Sequence, residues 1–154
     1  MRFLVVAVGK PRDAALAAAI REYEGRAARY WPLATHDVRE EPARSATSAQ
    51  VRDREGQRLL EKVPAGCRVV CCDPGGDALS SEQFARWLSD AREAARDMAF
   101  VIGGAYGLSE PLLQRAERKL LLAPWTLPHD LARLVLAEQL YRAGTILRGE
   151  PYHK

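Results

Sequence analysis

Apolar and polar residues alternate in blocks along this 154-residue chain. Three compact apolar runs, residues 2–8, 68–73 and 98–102, predict strands. The first is too uniformly hydrophobic for a sheet with one wet face, so it predicts a central strand that is covered on both sides. The third is short, apolar and rich in strand-forming residues, which predicts a buried strand. Residues 32–39 and 119–123 predict two further strands.

Segments with helical spacing separate these runs. Ser80 and Gln83 fit a capping box at the start of one of them, and Ser109 is a good N-cap residue for another. The charges of the second helix are most simply a solvated face. The predicted helices cover residues 13–29, 48–62, a segment from 80, a short segment from 109 to about 115, and 129 to about 144. This order predicts one α/β domain over residues 1–154, with a mainly parallel sheet and helices on both faces.

Apolar residues surround most of the last predicted helix. A helix on the surface of a monomer normally has a polar face, so this pattern predicts that one side packs on the sheet and another on a second copy of the protein. The alternative is a small monomer that exposes a few leucines, since scattered apolar residues on a surface are common. The residues concerned are Leu131, Ala132, Leu134, Val135, Leu136, Ala137, Leu140 and Ala143.

Three loops are expected at the carboxyl edge of the sheet, where ligands of parallel α/β proteins bind. They are Asp73–Asp77, Gly103–Gly107 and Pro124–Pro128. Glycines in the first two would allow the backbone to approach a ligand closely. No Walker loop is present, and the glycines after Ile102 do not form a dinucleotide fingerprint. An ATPase or an ordinary dinucleotide enzyme is therefore not expected.

Composition and charge narrow the class of protein. No apolar run approaches the length of a membrane span, and three cysteines suggest reduced thiols and a cytoplasmic setting. The formal charge is +3. Residues 111–154 carry seven Lys or Arg against four acids, whereas the first 110 residues balance at sixteen each. The whole surplus therefore lies in the last third, which favours a polyanionic partner.

Five segments together resemble a known family. They read LVVAVGK, EGQRLL, IGGAYGLS, TLPHDLARLVLAEQLYRA and RGEPYHK, and they cover the chain from end to end. They are similar to the large-subunit rRNA pseudouridine methyltransferase H family, small members of the SPOUT (trefoil-knot) methyltransferases. The resemblance implies a SPOUT fold with a C-terminal knot, and a cytoplasmic homodimeric enzyme. It also implies S-adenosylmethionine as methyl donor, no metal, and N3 of a pseudouridine in 23S rRNA of the assembled ribosome as acceptor. Neither DNA nor a membrane is an expected partner.

The resemblance also implies site residues by position. The sequence departs from the usual family pattern at two places, at Cys72 and at Ala123-Pro124-Trp125. Side-chain packing on the adenine is therefore expected to differ, while backbone contacts remain. The implied cofactor-binding residues are Cys72, Gly103, Leu122, Ala123, Pro124, Trp125, Thr126 and Leu127.

Transfer of a sulfonium methyl group requires alignment of the reacting atoms and removal of an imide proton. The expected catalytic residues are His129, Arg142, Tyr152 and His153, with Arg133 nearby in sequence. The family resemblance implies that Tyr152 and His153 of one protomer complete the pocket of the other.

Each of these residues also has a simpler explanation. Arg142 lies four residues after Glu138, which is the spacing of a helical ion pair. His129 could cap or pack at a helix start, and His153 lies in a chain end, where order is uncommon. Two other functions stay open: a ribosome- or RNA-binding factor without catalysis, and a nucleotide-binding enzyme that does not act on RNA.

Overall fold

The computed structural model describes all residues 1–154 as one α/β domain. Five strands form a single parallel sheet in the order β2-β1-β4-β3-β5. The predicted fold class, a parallel sheet with helices on both faces, is confirmed. The strands are β1 (Phe3–Val8), β2 (Leu33–Val38), β3 (Arg68–Ala78), β4 (Met98–Ile102) and β5 (Arg118–Leu121). The helices are α1 (Ala14–Ala27), α2 (Ser48–Glu61), α3 (Ser81–Glu93), α4 (Glu110–Arg115) and α5 (His129–Leu147).

The two faces of the sheet bury two separate cores. Every residue of β1 and β4 is buried, as expected for central strands covered on both sides. Phe3, Trp31, Phe100 and Leu140 belong to the core under α1, α3 and α5. The opposite core contains Leu59 and lies under α2 and α4. Because side chains alternate along a strand, adjacent Cys71 and Cys72 point to opposite faces, as predicted.

The glycine segment after Cys72 differs from the predicted turn. β3 continues to Ala78, and its register against β5 shifts between Cys72 and Asp77. Gly76 passes so close to β5 that a Cβ there would lie 2.6 Å from the Leu120 amide nitrogen. The Asp73 carboxylate accepts the Gly75 N–H at 2.9 Å, which folds the extra residues into a local bulge. These glycines therefore serve strand pairing, and only the beginning of this segment reaches the carboxyl edge of the sheet.

Most predicted helix boundaries are confirmed, and the capping box of Ser80 and Gln83 is present. α5 is longer than expected and ends at Leu147. α1 and α3 flank it, so neighbours within the same chain account for much of its apolar circumference. Leu131, Leu134 and Val135 remain half-buried on this helix. The homodimer therefore stays a prediction, and so does the knot.

Ser109 begins α4 but does not cap it with its side chain. Its hydroxyl is buried and points at Gly56 of α2, where a Cβ would lie 2.4 Å from the hydroxyl oxygen. The N-cap position predicted from the sequence is right, whereas the expected side-chain hydrogen bond is absent. The missing side chain of Gly56 makes room for the Ser109 hydroxyl and so lets α2 and α4 approach closely.

The solvated face predicted for α2 has one exception, Glu55, which is only 3% exposed. Its Oε2 accepts the Glu41 N–H at 3.1 Å, and its Oε1 has no hydrogen-bond partner. Burial raises the pKa of Glu55; nearby Glu40 and Glu41 act in the same direction, while the Glu41 N–H and Arg58 oppose it. Burying this carboxyl is unfavourable when it is ionised.

The C-terminal half of α5 packs closely on the end of α1. A Cβ on Gly144 would lie 2.3 Å from Cγ of Tyr30. The Tyr30 hydroxyl donates to the Glu150 carboxylate, and the Arg148 guanidinium lies 4.5 Å from the Tyr30 ring centroid. The contact between these helices therefore also fixes the start of the C-terminal tail, residues 149–154.

Gly144→Ala should lower the free energy of unfolding by about 1–3 kcal/mol, because the new methyl group overpacks the Tyr30 ring. The matched control is Gly25→Ala in α1, where a Cβ would meet nothing within 4 Å. That control should raise the free energy of unfolding by about 0.5–1 kcal/mol through helix propensity. Urea unfolding measures both, and equal stability of the two variants would contradict this account.

Glu55→Gln should gain stability relative to the wild type as the pH rises above 4.5, the ordinary value for a glutamate. A raised pKa in the folded state means that the contribution of Glu55 is full below the unfolded-state pKa and is lost as the pH rises through the folded-state pKa. Urea unfolding at a series of pH values between about 4 and 8 measures the difference. A difference that does not change with pH would show that Glu55 ionises alike in both states.

Candidate active site

One cavity of about 530 Å³ opens at the carboxyl edge of the sheet. Such a volume is in the range of small-molecule and cofactor sites. Its floor and walls come from the ends of β3 and β4 and from the segment between β5 and α5. Apolar side chains and backbone form most of the surface, and polar groups lie at intervals. The lining residues that were predicted to hold a cofactor are Cys72, Gly103, Leu122, Ala123, Trp125, Thr126 and Leu127.

The turn after β4 supplies the floor of this cavity. The Gly107 N–H donates to the Gly104 carbonyl at 3.1 Å, and Gly107 has φ +82°. A Cβ on Gly103 would lie 2.7 Å from the Gly107 carbonyl carbon, and one on Gly104 would lie 2.9 Å from Oε1 of Glu55. The turn is therefore so tight that a side chain at either of the first two glycines would displace its neighbours, and Gly107 supplies a left-handed conformation.

The segment from Leu122 to Pro128 closes the other side of the cavity. It has no regular secondary structure. Leu122 and Leu127 are half-buried, whereas Pro124 is exposed and does not line the cavity. The structure therefore places one predicted cofactor residue, Pro124, outside the cavity and the other seven around it.

His129 is the one predicted catalytic residue that lines this cavity. It is the first residue of α5, whose N-cap residue is Pro128 and which has no side-chain capping hydrogen bond. Its Nε2 lies 3.4 Å from an Asp130 oxygen and 3.7 Å from Oε1 of Glu40. His129 also lines a neighbouring groove formed by the ends of β1 and β2. It thus stands where the two depressions meet.

The other three predicted catalytic residues form a separate cluster around Glu138. Arg142 donates from Nε and Nη2 to Oε1 of Glu138 at 2.9 and 2.5 Å, so the helical ion pair expected from their spacing is present. The Tyr152 hydroxyl donates to the same oxygen at 3.0 Å, and the Arg142 guanidinium lies 4.7 Å from the Tyr152 ring centroid. Burial, and then hydrogen bonds with Tyr23 and Glu138, raise the pKa of Tyr152, so its hydroxyl stays protonated at neutral pH.

His153 joins this cluster to α3. Its Nδ1 lies 3.2 Å from Nη1 of Arg142, and its Nε2 lies 2.7 Å from Oε1 of Glu82. Arginine can only donate, so Nδ1 must accept, and a neutral His153 carries its proton on Nε2 and donates it to Glu82. The Glu82 backbone N–H, and then His153, lower the pKa of Glu82 to about 2. The tail is thus ordered by defined polar contacts.

The two groups of catalytic candidates do not meet within one chain. His129 and Arg142 lie at positions thirteen residues apart on α5, which corresponds to about 20 Å along a helix axis. Arg133 belongs to neither group, because its guanidinium is buried in ion pairs with Glu24 and Asp37. Sequence reasoning missed Glu138 and Glu82 as partners of the tail and Glu55 beneath the glycine turn. The i, i+4 spacing of Glu138 and Arg142 was the one available signal.

No helix in the structure combines the length and apolar character that a bilayer crossing demands.

Comparison with known proteins agrees with this arrangement. A family model described as "Predicted SPOUT methyltransferase" matches residues 1–153. The chain is 60% identical over 154 residues to a protein of Gemmatimonas aurantiaca, with all of both chains covered, and 49% identical to one of Anaeromyxobacter sp. strain Fw109-5, again over the whole of both. Both relatives are named ribosomal RNA large subunit methyltransferase H.

A solved structure shares the fold at low sequence similarity. The crystal structure of tRNA (m1G37) methyltransferase from Aquifex aeolicus superposes with a TM-score of 0.55 at 10% identity. The match covers 92% of this chain and 70% of the other. It supports the architecture alone. On the full-length family match and the identity to its relatives, the chain belongs to the SPOUT methyltransferase family.

Proposed function

We propose that this protein is an S-adenosylmethionine-dependent methyltransferase that acts in the cytoplasm on N3 of a pseudouridine in 23S rRNA of the assembled ribosome. The observation that carries the proposal is the cavity at the carboxyl edge of the sheet, which gathers seven of the eight implied cofactor residues from three separate segments. Full-length identity to two relatives named ribosomal RNA large subunit methyltransferase H supports the class of substrate.

The cavity suits the proposed methyl donor. Its glycine floor leaves backbone N–H and C=O groups within reach of a ligand, and half-buried Leu122 and Leu127 offer apolar surface for a purine ring. Asp73 and Thr126 add polar groups at the wall. When bound there, S-adenosylmethionine would supply a methyl group on a sulfonium sulfur, which is electrophilic without activation by the protein.

The remaining task of the chain is to orient the acceptor and remove its proton. His129 lies at the edge of the cavity beside the carboxylates of Asp130 and Glu40, and its imidazole is the group there that would accept the proton. Arg142 presents a fixed guanidinium that would stabilise a developing negative charge on the base. His153 is a less direct proton acceptor, because Nδ1 is occupied by Arg142 in the arrangement described above.

A homodimer would unite these groups. The tail cluster lies about 20 Å from His129 along α5, which is too far for both to contact one base. A two-fold axis would bring Arg142, Tyr152 and His153 of one protomer to the cavity of the other. The half-buried apolar residues of α5 offer surface for such an interface.

Mass spectrometry of 23S rRNA from a deletion strain tests the function. Loss of one methylated pseudouridine, restored by the gene, is the expected result. A modification that persists at full level would refute the assignment. Calorimetry with S-adenosylmethionine separates the two classes, since a protein that only binds ribosomes would not bind the cofactor.

Mixing two inactive variants tests the shared site. Gly103→Ala should abolish cofactor binding by shifting the Gly107 backbone, and Arg142→Ala should abolish turnover by removing the guanidinium of the tail cluster. Statistical exchange between such homodimers makes half the molecules heterodimers, each with one intact composite site, so about a quarter of wild-type activity should return. Ribosome methylation by the refolded mixture is measured, and sedimentation confirms that both variants are dimeric.

No recovery of activity from dimeric variants that are individually well folded would show that each tail serves its own protomer. Thermal melting of each variant provides the folding control. A mixture of Gly103→Ala with itself serves as the blank.

A further inference from the structure

The chain leaves three large hydrophobic side chains exposed: Tyr106 at 46%, Trp125 at 80% and Leu147 at 38%. Two of the three are aromatic and line the same cavity from separate segments. Tyr106 lies in the tight turn that is closed by the hydrogen bond between Gly107 and Gly104. Trp125 lies in the segment that follows β5. Single exposed apolar residues need no explanation, whereas two aromatic rings at one cavity mouth indicate a binding surface.

Trp125 differs from the other two tryptophans in its surroundings. Trp31 is buried, donates from Nε1 to the Leu140 carbonyl at 2.8 Å, and has the Arg92 guanidinium 4.1 Å from its ring centroid. Trp87 packs on aromatic neighbours. Trp125 has no hydrogen bond, no aromatic neighbour and no cation over its ring. Its ring therefore contributes nothing evident to the stability of the fold.

A cation without a partner lies beside these rings. Arg52 of α2 lines the same cavity, and its guanidinium forms no ion pair and no hydrogen bond within the chain. This distinguishes it from Arg54 and Arg58 on the same helix, which both bind Glu41. A free guanidinium next to exposed aromatic rings is the combination that binds an unpaired nucleotide, because the rings stack the base and the cation meets its phosphate.

We propose that Tyr106, Trp125 and Arg52 hold an unpaired nucleotide of the RNA that flanks the acceptor base at the mouth of the cavity. This inference rests on the proposed function and adds a substrate contact to it. Trp125 belongs to the segment implied to contact the cofactor, and that contact is expected through its backbone, which leaves its 80% exposed ring for the RNA. Its chain neighbours Pro124 and Thr126 have small side chains. The apolar surface around Trp125 is therefore narrower than the broad apolar patch of a protein interface.

Steady-state methylation of ribosomes by variants tests the proposal. Trp125→Ala should raise KM for the ribosome by about 5- to 50-fold, as expected from the loss of one stacked base. The dissociation constant for S-adenosylmethionine should stay within about twofold, because the cofactor contact implied for Trp125 is expected through its backbone, which the substitution keeps. Trp125→Phe should restore most of the lost KM, because any aromatic ring can stack. Tyr106→Ala should shift KM in the same direction.

The contribution of the Arg52 charge to ribosome binding is tested against a matched control variant. Arg52→Ala should weaken ribosome binding and reduce the slope of log affinity against log salt by about one, which is the signature of one lost phosphate contact. Arg29→Ala removes an exposed charge near the end of α1, at the opposite edge of the sheet, and should change neither quantity. Equal effects of the two variants would show that Arg52 acts only through the general positive charge of the protein, and would refute its specific phosphate contact.

The outcomes distinguish this proposal from the function on which it rests. Wild-type protein that does not methylate ribosomes would refute the function. Active wild type with an unchanged KM in Trp125→Ala would refute the stacking contact alone. Weaker cofactor binding with unchanged KM would assign Trp125 to the cofactor, and a changed oligomeric state by light scattering would assign it to a protomer interface.

A measurement that does not need turnover completes the test. Acrylamide should quench the emission of exposed Trp125 strongly in the free protein, with Trp125→Phe as the reference for the two other tryptophans. A single-stranded RNA oligonucleotide should reduce that quenching. Quenching that is unaffected by saturating RNA would overturn the proposal.

Discussion

The constraint on which the site depends is the lack of space around the turn after β4. β4 is buried between β1 and β3, so its last residue, Ile102, has a fixed position. Gly103 then lies against the backbone of Gly107, and Gly104 lies against Glu55 of α2. The cavity floor is rigid because strand pairing holds one side and a packed helix holds the other. A rigid floor matters for a reaction whose catalysis is mostly alignment.

α2 helps to shape the cavity floor, although its charged composition is typical of a solvated surface helix. It is highly charged, yet its Glu55–Gly56 edge is buried against the glycine turn and Ser109. An ionisable side chain with an unpaired oxygen is an unfavourable element of a core. The approach of two backbones is nevertheless possible there because Gly56 and Gly104 lack side chains. The close packing at Gly56 and Gly104 and the unfavourable burial of Glu55 thus occur at the same contact. Such a locally unfavourable element is typical of the surroundings of a functional site.

Local pattern predicted the sheet, most helices and the edge at which the site lies, because burial of β1 and β4 on both faces leaves a direct trace in their residues. Pairing between segments that are distant in the chain has no such signal in the local pattern of residues. The glycines after Asp73 look like a turn, but β5 binds beside them and extends β3. Periodicity also could not show that the C-terminal tail docks, since the contacts of Tyr152 and His153 reach back to Glu138 and Glu82. The residues assigned to the cofactor came from family resemblance, and the cavity collects all but Pro124.

α5 links the two halves of the proposed chemistry. Its first residue, His129, lies at the cavity, and its C-terminal half carries the cluster of Arg142, Tyr152 and His153. The length of α5 keeps these groups apart within one chain, and in the proposed homodimer a second copy would bring the cluster to the cavity. The tail is already ordered by Glu138, Glu82 and Tyr30 before any partner arrives. Association would then seat a preformed group of side chains, and little conformational entropy would be lost on forming the shared site.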